Sequence, residues 1–381
     1  MIRLVMIAVA VLTASVTPPT SADEAKREWT FIYVISYDNN LEGCADIINR
    51  GLQRGVINDR VAVSVLEDRT DSKGLKRIVT DGKETNSTPL PTEDITSMKV
   101  LREHLDHATE TLPAKRYALI FLNHGGKLDS MCADEHVEIG GPRVNGWMSA
   151  KACGETVRNW SKSLEKDQLK MVFLQQCGRG SVENLYNFRD TAEVVLSSQL
   201  VVGAPNTYYT AVMKKVCTSP RMTGEKLAKL IMTEDQHYTN YVLVDGDAIG
   251  DFPKKIDPLL KALLKKTDSF SLSGKSRHCF DAGAERNYDL LNTLEELSVK
   301  HLGKRSSHYP RFKSWVTRTL ILEFSKRRKG LPWTGLSTFV PRTPRQYEEY
   351  SGLPIYQESG WSRWAEAWLG TQTETSPGKR R

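Results

Sequence analysis

Short, continuously apolar segments alternate with amphipathic ones through the first half of this 381-residue chain. Five of them have the length and the β-branched or aromatic composition of strands: 31–36, 61–66, 117–122, 171–174 and 193–198. Helical patterns occupy 41–53, 94–112 and 149–164. Strands that are apolar throughout are typical of parallel sheets covered on both faces. The alternation therefore predicts an α/β fold built on an open, mostly parallel sheet with helices on both faces.

The pattern changes after about residue 220, where helical segments dominate until a late strand at 335–341. A small hairpin is expected around Asp81 and Gly82, because Asp-Gly favours a tight turn. Three tryptophans at 361, 364 and 368 share one helical face, which indicates core packing. The predicted organisation is an α/β core at 23–220, a mostly helical part at 221–370 that packs on it, and a disordered tail at 371–381.

The N-terminus has the composition of a secretory signal peptide at 1–22. Arg3 precedes an apolar stretch at 4–14, and 18–22 contains two prolines and small residues suited to cleavage. An uncleaved anchor is the alternative, but the apolar stretch is too short to span a bilayer comfortably. We expect a secreted or periplasmic monomer that has no membrane attachment after signal removal.

Charge and cysteine usage exclude several classes of protein. The net charge of +7 is mild and spread out, which argues against a dedicated nucleic-acid binder. The densest basic run, at 326–329, is expected to be a solvated turn. Six cysteines allow disulfides in an oxidising compartment, but the absence of C-x-x-C gives a structural zinc site no support.

Two chemically reactive side chains follow two of the predicted strands. His124 comes directly after 117–122 and Asn123, and Cys177 comes shortly after 171–174; both precede glycines. Chemistry in open parallel sheets gathers at the carboxyl ends of the strands. A nearby imidazole can activate a thiol, and backbone N–H groups at glycine turns can face an oxyanion. The sequence therefore predicts His124 as general base, Cys177 as nucleophile, and the N–H groups of Gly125 and Cys177 as oxyanion donors.

Each residue alone has an ordinary explanation. A single cysteine after a strand is usually buried, and a single histidine is usually a satisfied polar group. The pair is more specific, because Cys177 lies 53 positions after His124. Gln175, Cys177 and Gly178 also match a caspase signature whose histidine lies roughly 50 residues upstream. This supports the caspase-like fold class rather than caspase specificity.

Four segments in the same order resemble the clostripain family (C11-type) of cysteine peptidases. They are REWTFIYVISYDNNLEG at 27–43, LIFLNHGG at 119–126, FLQQCGRGSVENLYNFRDTAEVVLSSQ at 173–199 and GLSTFVP at 335–341. The resemblance runs from about Glu28 to Trp368. It implies a caspase-like fold and a secreted endopeptidase that acts on proteins or peptides through His124 and Cys177. The resemblance implies an enzyme that requires no cofactor, although calcium dependence occurs in the family.

The sequence departs from the family where the substrate side chain is expected to bind. The family usually has an aspartate at the position of Gln175 and an acidic pair at the positions of Gln199 and Leu200. Since a buried cation needs a paired anion, we expect weak or absent preference for a basic residue before the cleaved bond. Gln175 and Gln199 are the predicted substrate-binding residues. A preference for a neutral residue before the cleaved bond, or for an acidic residue bound by Arg179, stays open.

Processing, metals and activity leave further alternatives. The segment 127–147 can be an exposed processing loop with Lys127 or Arg143 as cut sites, or an uncut active-site loop. Oxygen ligands collect at 134–138 and 245–251 without EF-hand spacing, so no metal ligands are assigned. The competing functions are a catalytically silent caspase-like binding protein and, with less support, a basic surface-binding protein that uses 326–329.

Overall fold

The computed structural model describes residues 26–70, 74–82, 84–92, 94–137, 144–235, 240–272, 277–325 and 332–373. The predicted signal peptide, the basic run at 326–329 and Arg143 lie outside these residues. Residues 371–373 extend the last helix into the predicted tail, and 374–381 also lie outside the description.

The strands in chain order are β1 (Trp29–Tyr37), β2 (Val61–Arg69), β3 (Lys76–Asp81), β4 (Glu84–Pro89), β5 (Tyr117–Leu122), β6 (Ser130–Val137), β7 (Val144–Ser149), β8 (Leu169–Gln175), β9 (Val194–Ser198), β10 (Tyr241–Asp245), β11 (His278–Ala282), β12 (Glu285–Asp289), β13 (Ile321–Phe324) and β14 (Ser337–Phe339). The helices are α1 (Glu42–Gly55), α2 (Met98–Thr111), α3 (Ala150–Ser161), α4 (Val182–Asn187), α5 (Tyr209–Thr218), α6 (Gly224–Glu234), α7 (Gly246–Leu264), α8 (Leu290–His301), α9 (His308–Trp315), α10 (Pro344–Tyr350), α11 (Pro354–Gln357) and α12 (Trp361–Thr373), with a π-helical turn at Val316–Leu320.

Nine of the described strands form one sheet in the order β13-β10-β9-β8-β5-β1-β2-β3-β4. The five central strands, β9, β8, β5, β1 and β2, are parallel, and antiparallel strands flank them on both sides. This confirms the predicted mostly parallel sheet and the five predicted strands. Gly82 turns the β3–β4 hairpin with a φ of +61°, as the Asp-Gly pair predicted.

Apolar side chains of the central strands pack into two cores, one on each face of the sheet. In β1, Ile32 and Val34 face one core while Phe31, Tyr33 and Ile35 face the other. Helices α1, α5 and α6 cover the second core, and α2, α3 and α7 contribute to the first. Period-two alternation in strands that are buried on both faces explains why these segments read as continuous apolar runs.

The C-terminal part contains more strand than the sequence predicted. Strands β10 and β13 extend the main sheet, and β11, β12 and β14 form a separate three-stranded sheet. Strands β11, β12 and β13 are polar or partly exposed, so they lack the apolar signal of the central strands. Strand β10 is apolar and buried but only five residues long, and it was not predicted from the sequence. The tryptophan prediction is confirmed: Trp361, Trp364 and Trp368 are buried, and the first two stack with ring centroids 4.8 Å apart.

The segment 127–147 is also more regular than a loop. Strands β6 and β7 pair as a hairpin that begins six residues after His124, and 138–143 lies outside the described residues. Lys127 forms an ion pair with Glu349 at 3.3 Å. Within the described chain, no helix is both long and apolar enough to cross a membrane.

Candidate active site

His124 and Cys177 lie at one edge of the sheet on neighbouring strands. Parallel strands β5 and β8 pair Leu122 with Gln175, and each candidate residue follows two positions later. Neighbouring strands are about 4.8 Å apart. The equal offset therefore brings the histidine and cysteine loops side by side.

The backbones of these two loops are in direct contact at Gly125. A Cβ atom placed there would lie 1.9 Å from the carbonyl oxygen of Cys177 and 3.1 Å from its nitrogen. Any side chain would therefore push the loops apart, and only glycine fits. Gly126 N–H donates to Ser130 O at 2.9 Å, and Gly178 N–H donates to Leu200 O at 3.0 Å. Among the hydrogen bonds that turns and loops of the described residues form, the backbone N–H groups of Gly125 and Cys177 donate to no backbone carbonyl.

Asparagines hold His124 from two sides. The Asn123 amide donates to Ala133 O at 2.6 Å, and its Oδ1 accepts the His124 backbone N–H. The ring Nε2 of His124 lies 2.7 Å from Asn40 Oδ1. Because an amide oxygen only accepts hydrogen bonds, Nε2 carries the proton and Nδ1 is the basic nitrogen. Burial lowers the pKa of His124, which favours the neutral ring at pH 7.

The Cys177 thiol is half-buried beside Val202. Its Sγ lies 3.4 Å from both the nitrogen and the oxygen of Val202. Gly178 follows with a φ of +67°, and a Cβ atom there would lie 2.2 Å from the ring of Phe280 in β11. The small C-terminal sheet therefore covers the cysteine loop.

Arg179 joins the histidine loop to the cysteine loop. Its side chain is 1% exposed, and its guanidinium donates to backbone carbonyls on both loops. The acceptors on the histidine loop are the carbonyls of Gly126 (2.7 Å), Lys127 (3.1 Å), Leu128 (3.3 Å) and Ser130 (3.0 Å), and on the cysteine loop the Cys177 carbonyl (3.3 Å). Asn184 Oδ1 accepts as well, at 3.3 Å. Five N–H groups are thereby used, so Arg179 is not available to meet an acidic substrate side chain.

Gln175 sits in a neutral polar cluster beneath the site. Its Nε2 donates to Asn206 Oδ1 and to Tyr209 OH at 3.1 Å, and its Oε1 accepts from Tyr208 OH at 2.7 Å. Asn206 in turn donates to the buried Asp235 at 2.6 Å. The carboxyl group in this network is therefore that of Asp235, and Asn206 lies between it and Gln175.

The likeness to known proteins agrees with this architecture. The model of the clostripain family of C11 peptidases matches residues 34–368, most of the chain. The chain belongs to the clostripain family. As a member of this family, it is a cysteine peptidase. No curated protein matches the sequence significantly.

Solved structures of C11 proteases share the fold of this clostripain-family chain. One, an inactive zymogen from Parabacteroides distasonis, is 14% identical, with a TM-score of 0.61 over 90% of this chain and 99% of that chain. Another is a secreted cysteine protease from Bacteroides thetaiotaomicron, solved with an irreversible peptide inhibitor. It is 16% identical, with a TM-score of 0.64 over 88% of this chain and 99% of that chain. At such identities the likeness shows the fold alone.

Gln199 does not share a pocket with Gln175. Alternation along β8 and β9 places the two glutamines on opposite faces of the sheet. Gln199 is fully buried, and its amide donates to Asp289 Oδ2 at 3.2 Å and Cys279 Sγ at 2.9 Å while Gly335 N–H donates to its oxygen. It fastens the C-terminal strands to the core, a role that depends on long-range contacts.

The first three acidic residues that follow Cys177 in the sequence do not face Gln175. Glu183 is buried and accepts from Thr338 Oγ1 at 2.8 Å and Trp361 Nε1 at 3.1 Å. Glu193 pairs with Lys170 at 3.1 Å. Glu193 and Asp190 line a cavity of about 730 Å³ at the amino ends of β8 and β9, opposite to the Cys177 edge. This large cavity is therefore separate from the candidate active site.

Three aspartates that the sequence did not group come together beside the histidine loop. Asp38 follows β1, Asp68 lies near the end of β2 and Asp134 lies in β6; their carboxylates can approach one ion. Burial raises the pKa of Asp68 to about 9 and that of Asp134 to about 6. The sequence signal for this cluster was that Asp38 and Asp68 lie at or near the ends of two strands.

The other acidic segment, 245–251, forms the start of helix α7, where Asp245 accepts a hydrogen bond from the Ala248 N–H at 2.8 Å.

All six cysteines carry free thiols. Cys132, Cys153 and Cys217 are buried, whereas Cys44, Cys177 and Cys279 are partly exposed. Burial raises the pKa of Cys44 and of Cys279. Cys44 is consequently a useful comparison for the reactivity of Cys177.

Proposed function

We propose that this clostripain-family chain is a secreted, monomeric cysteine endopeptidase in which Cys177 is the nucleophile and His124 the general base. The observation that carries the proposal is the contact between the two loops: His124 and Cys177 follow paired strand ends by the same offset, and Gly125 packs on the Cys177 backbone. Few structural roles require a thiol and an imidazole at this edge.

In the proposed reaction, Nδ1 of His124 accepts the Cys177 thiol proton while the sulfur attacks the scissile carbonyl. Asn40 orients the ring by accepting a hydrogen bond from the Nε2 N–H, as the third member of a nucleophile–base–orienter arrangement. The carbonyl oxygen becomes an oxyanion that the Gly125 and Cys177 N–H groups bind. His124 then returns the proton to the leaving amine, and water hydrolyses the thioester.

Arg179 acts as a positioning residue in this proposal. It binds carbonyls of the histidine loop and the carbonyl of Cys177, so it holds the two loops at a fixed separation.

The proposed specificity is for substrates without a basic residue before the cleaved bond. Gln175 and its partners Asn206, Tyr208 and Tyr209 are uncharged, so they offer no carboxylate for an arginine or lysine. The saturated hydrogen bonding of Arg179 disfavours an acidic residue equally. A neutral side chain fits this site best.

The nucleophile is tested with an irreversible peptide-based alkylating probe and mass spectrometry of the intact chain. We expect one adduct on wild type and on Cys44→Ala, and none on Cys177→Ala or after prior alkylation. His124→Ala should fold but label at least about 100-fold more slowly, since general-base assistance contributes 10²–10⁴-fold. Labelling that persists in Cys177→Ala and disappears in Cys44→Ala would overturn the assignment.

Secretion and processing are tested on protein recovered from the producing cell. Removal of a signal peptide predicts a mature N-terminus after residue 22, which N-terminal sequencing identifies. Cleavage between β6 and β7 would give two fragments that stay associated, because both flanking strands belong to the folded core. An intact chain that is active against peptides would show that no such cut is needed.

A further inference from the structure

Trp147 is the one exposed tryptophan among the eight of this chain. Its side chain is 43% exposed, whereas the other seven, all within the described residues, are buried or half-buried. An indole has a large apolar area, so leaving it in water forgoes a large contribution to stability. A singly exposed apolar side chain needs no functional explanation by itself, so the position of this one decides what it can do.

The indole of Trp147 lies against the histidine loop. A Cβ atom placed at Gly126 would be 2.7 Å from Cζ3 and 3.0 Å from Cε3 of the ring. Gly126 comes two residues after His124, and two residues span at most about 7 Å. The exposed ring therefore forms part of the rim of the candidate active site.

Strand β7 holds this ring in a fixed place. Trp147 pairs with Ala133 across the β6–β7 hairpin, and the next residue, Met148, is fully buried. Because side chains alternate along a strand, burial of Met148 directs Trp147 to the opposite face of the hairpin. The end of β7 is anchored as well, since Ser149 Oγ donates to Asp129 Oδ2 at 2.7 Å. A ring held in this way loses little conformational freedom when it binds a ligand.

The order of the loops indicates which part of a substrate the ring can reach. The sheet order β9-β8-β5 places Cys177 between the Val202 segment on one side and the histidine loop on the other. His124 protonates the leaving amine in the proposed reaction, so the substrate residues after the cleaved bond lie on the histidine side. The residues before the bond stay attached to the sulfur. Trp147 belongs to the histidine side, where the leaving amine departs.

We propose that Trp147 is a substrate-binding residue that contacts the residue directly after the cleaved bond and favours an apolar side chain there, above all an aromatic one. This inference rests on the proposed function of His124 and Cys177. An indole face and an apolar side chain bury area on both partners, and paired rings gain a further attraction. A serine in the same position buries little apolar area. Trp147 thus adds a preference on the leaving-group side to the neutral preference proposed for the other side.

The preference is measured with internally quenched peptides that share a neutral residue before the cleaved bond and differ only in the residue after it. Wild type should cleave phenylalanine and leucine peptides with a kcat/KM at least about 10-fold above that of the serine peptide, the low end of what an apolar contact contributes to discrimination. Trp147→Ala should bring all three to within about twofold of one another, with the serine peptide near its wild-type value. Trp147→Phe should keep most of the preference. Val299→Ala, which removes another exposed apolar side chain in helix α8, should keep all of it.

A second measurement separates substrate contact from support of the histidine loop. A peptidyl chloromethyl ketone with the same neutral residue ends at the carbon that reacts, so it has no residue on the leaving-group side. It should therefore alkylate Cys177 at the same rate in Trp147→Ala as in wild type, as followed by mass spectrometry of the intact chain.

Three results would overturn the contact. A wild type that cleaves the serine peptide as fast as the phenylalanine peptide would show that no apolar subsite follows the cleaved bond. Full retention of the preference in Trp147→Ala would place the subsite on another residue. Alkylation that slows in Trp147→Ala together with cleavage of every peptide would mean that the ring supports the histidine loop instead. By contrast, a wild type that neither cleaves the peptides nor reacts with the ketone would refute the proposed function itself.

Discussion

The contact between Gly125 and Cys177 is the most restrictive feature of the site, and Gly125→Ala tests it directly. The added Cβ would lie 1.9 Å from the Cys177 carbonyl oxygen, whereas real Cβ contacts are essentially never closer than 3.0 Å. The two backbones must therefore separate by about 1.1 Å. Overpacking of this kind costs about 1–3 kcal/mol of unfolding free energy.

A displacement of that size should affect catalysis more than folding. A misplacement of about 1 Å can lower a rate about 100-fold, because reacting atoms and oxyanion donors lose alignment. We expect kcat/KM of Gly125→Ala to fall at least about 100-fold, which corresponds to about 2.7 kcal/mol of transition-state stabilisation. Hydrolysis of a neutral fluorogenic peptide and urea unfolding measure the two effects on the same preparations.

Two glycines provide matched controls. Gly224→Ala creates a similar clash, with its Cβ 2.1 Å from the carbonyl oxygen of Lys170, but at the opposite edge of the sheet. It should lose comparable stability and keep its activity. Gly43→Ala has no atom within 4 Å and should be neutral or slightly stabilising in helix α1. If Gly125→Ala stays within about twofold of wild type in kcat/KM, the loop contact does not set the site geometry.

Three further substitutions follow from the site. Arg179→Met leaves several buried carbonyls without donors, and we expect a loss of about 3–5 kcal/mol in urea unfolding; a loss below about 1 kcal/mol would contradict the positioning role. Wild type should cleave arginine and lysine substrates no better than uncharged ones, and Gln175→Asp should gain preference for the basic substrates. Strong arginine selectivity in wild type would show that another acid reaches the pocket. Burial raises the pKa of Glu183 to about 6 from 4.5, so the native state binds the proton more tightly and stability falls as pH rises through this window. The free energy of unfolding of Glu183→Gln should therefore rise relative to that of wild type between pH 4.5 and 7, as measured by urea unfolding at several pH values. A difference between the two proteins that does not change with pH would place the ionisation elsewhere.

Local pattern was sufficient for the central sheet and for the edge of the sheet at which the candidate pair lies. Segments such as 117–122 are apolar on both faces, a property that each strand carries in its own sequence. Parallel strands end at one edge, so the residues that follow two neighbouring strands, His124 and Cys177, lie at the same edge of the sheet. The tight turn at Gly82 and the tryptophan face of α12 likewise depend on neighbours within a few residues.

The polar interior was decided by tertiary contacts instead. Gln199 binds Asp289, ninety residues away, and Arg179 binds carbonyls about fifty residues away; neither partner is visible in the local pattern. The same holds for Asp38, Asp68 and Asp134, which are far apart in the chain and meet because the ends of β1 and β2 lie near β6. A side chain's burial and charge partners depend on which strands adjoin, whereas strand formation depends on the strand's own residues. The sequence by itself therefore determined the sheet and the position of the thiol, and the tertiary structure decided which polar groups surround it.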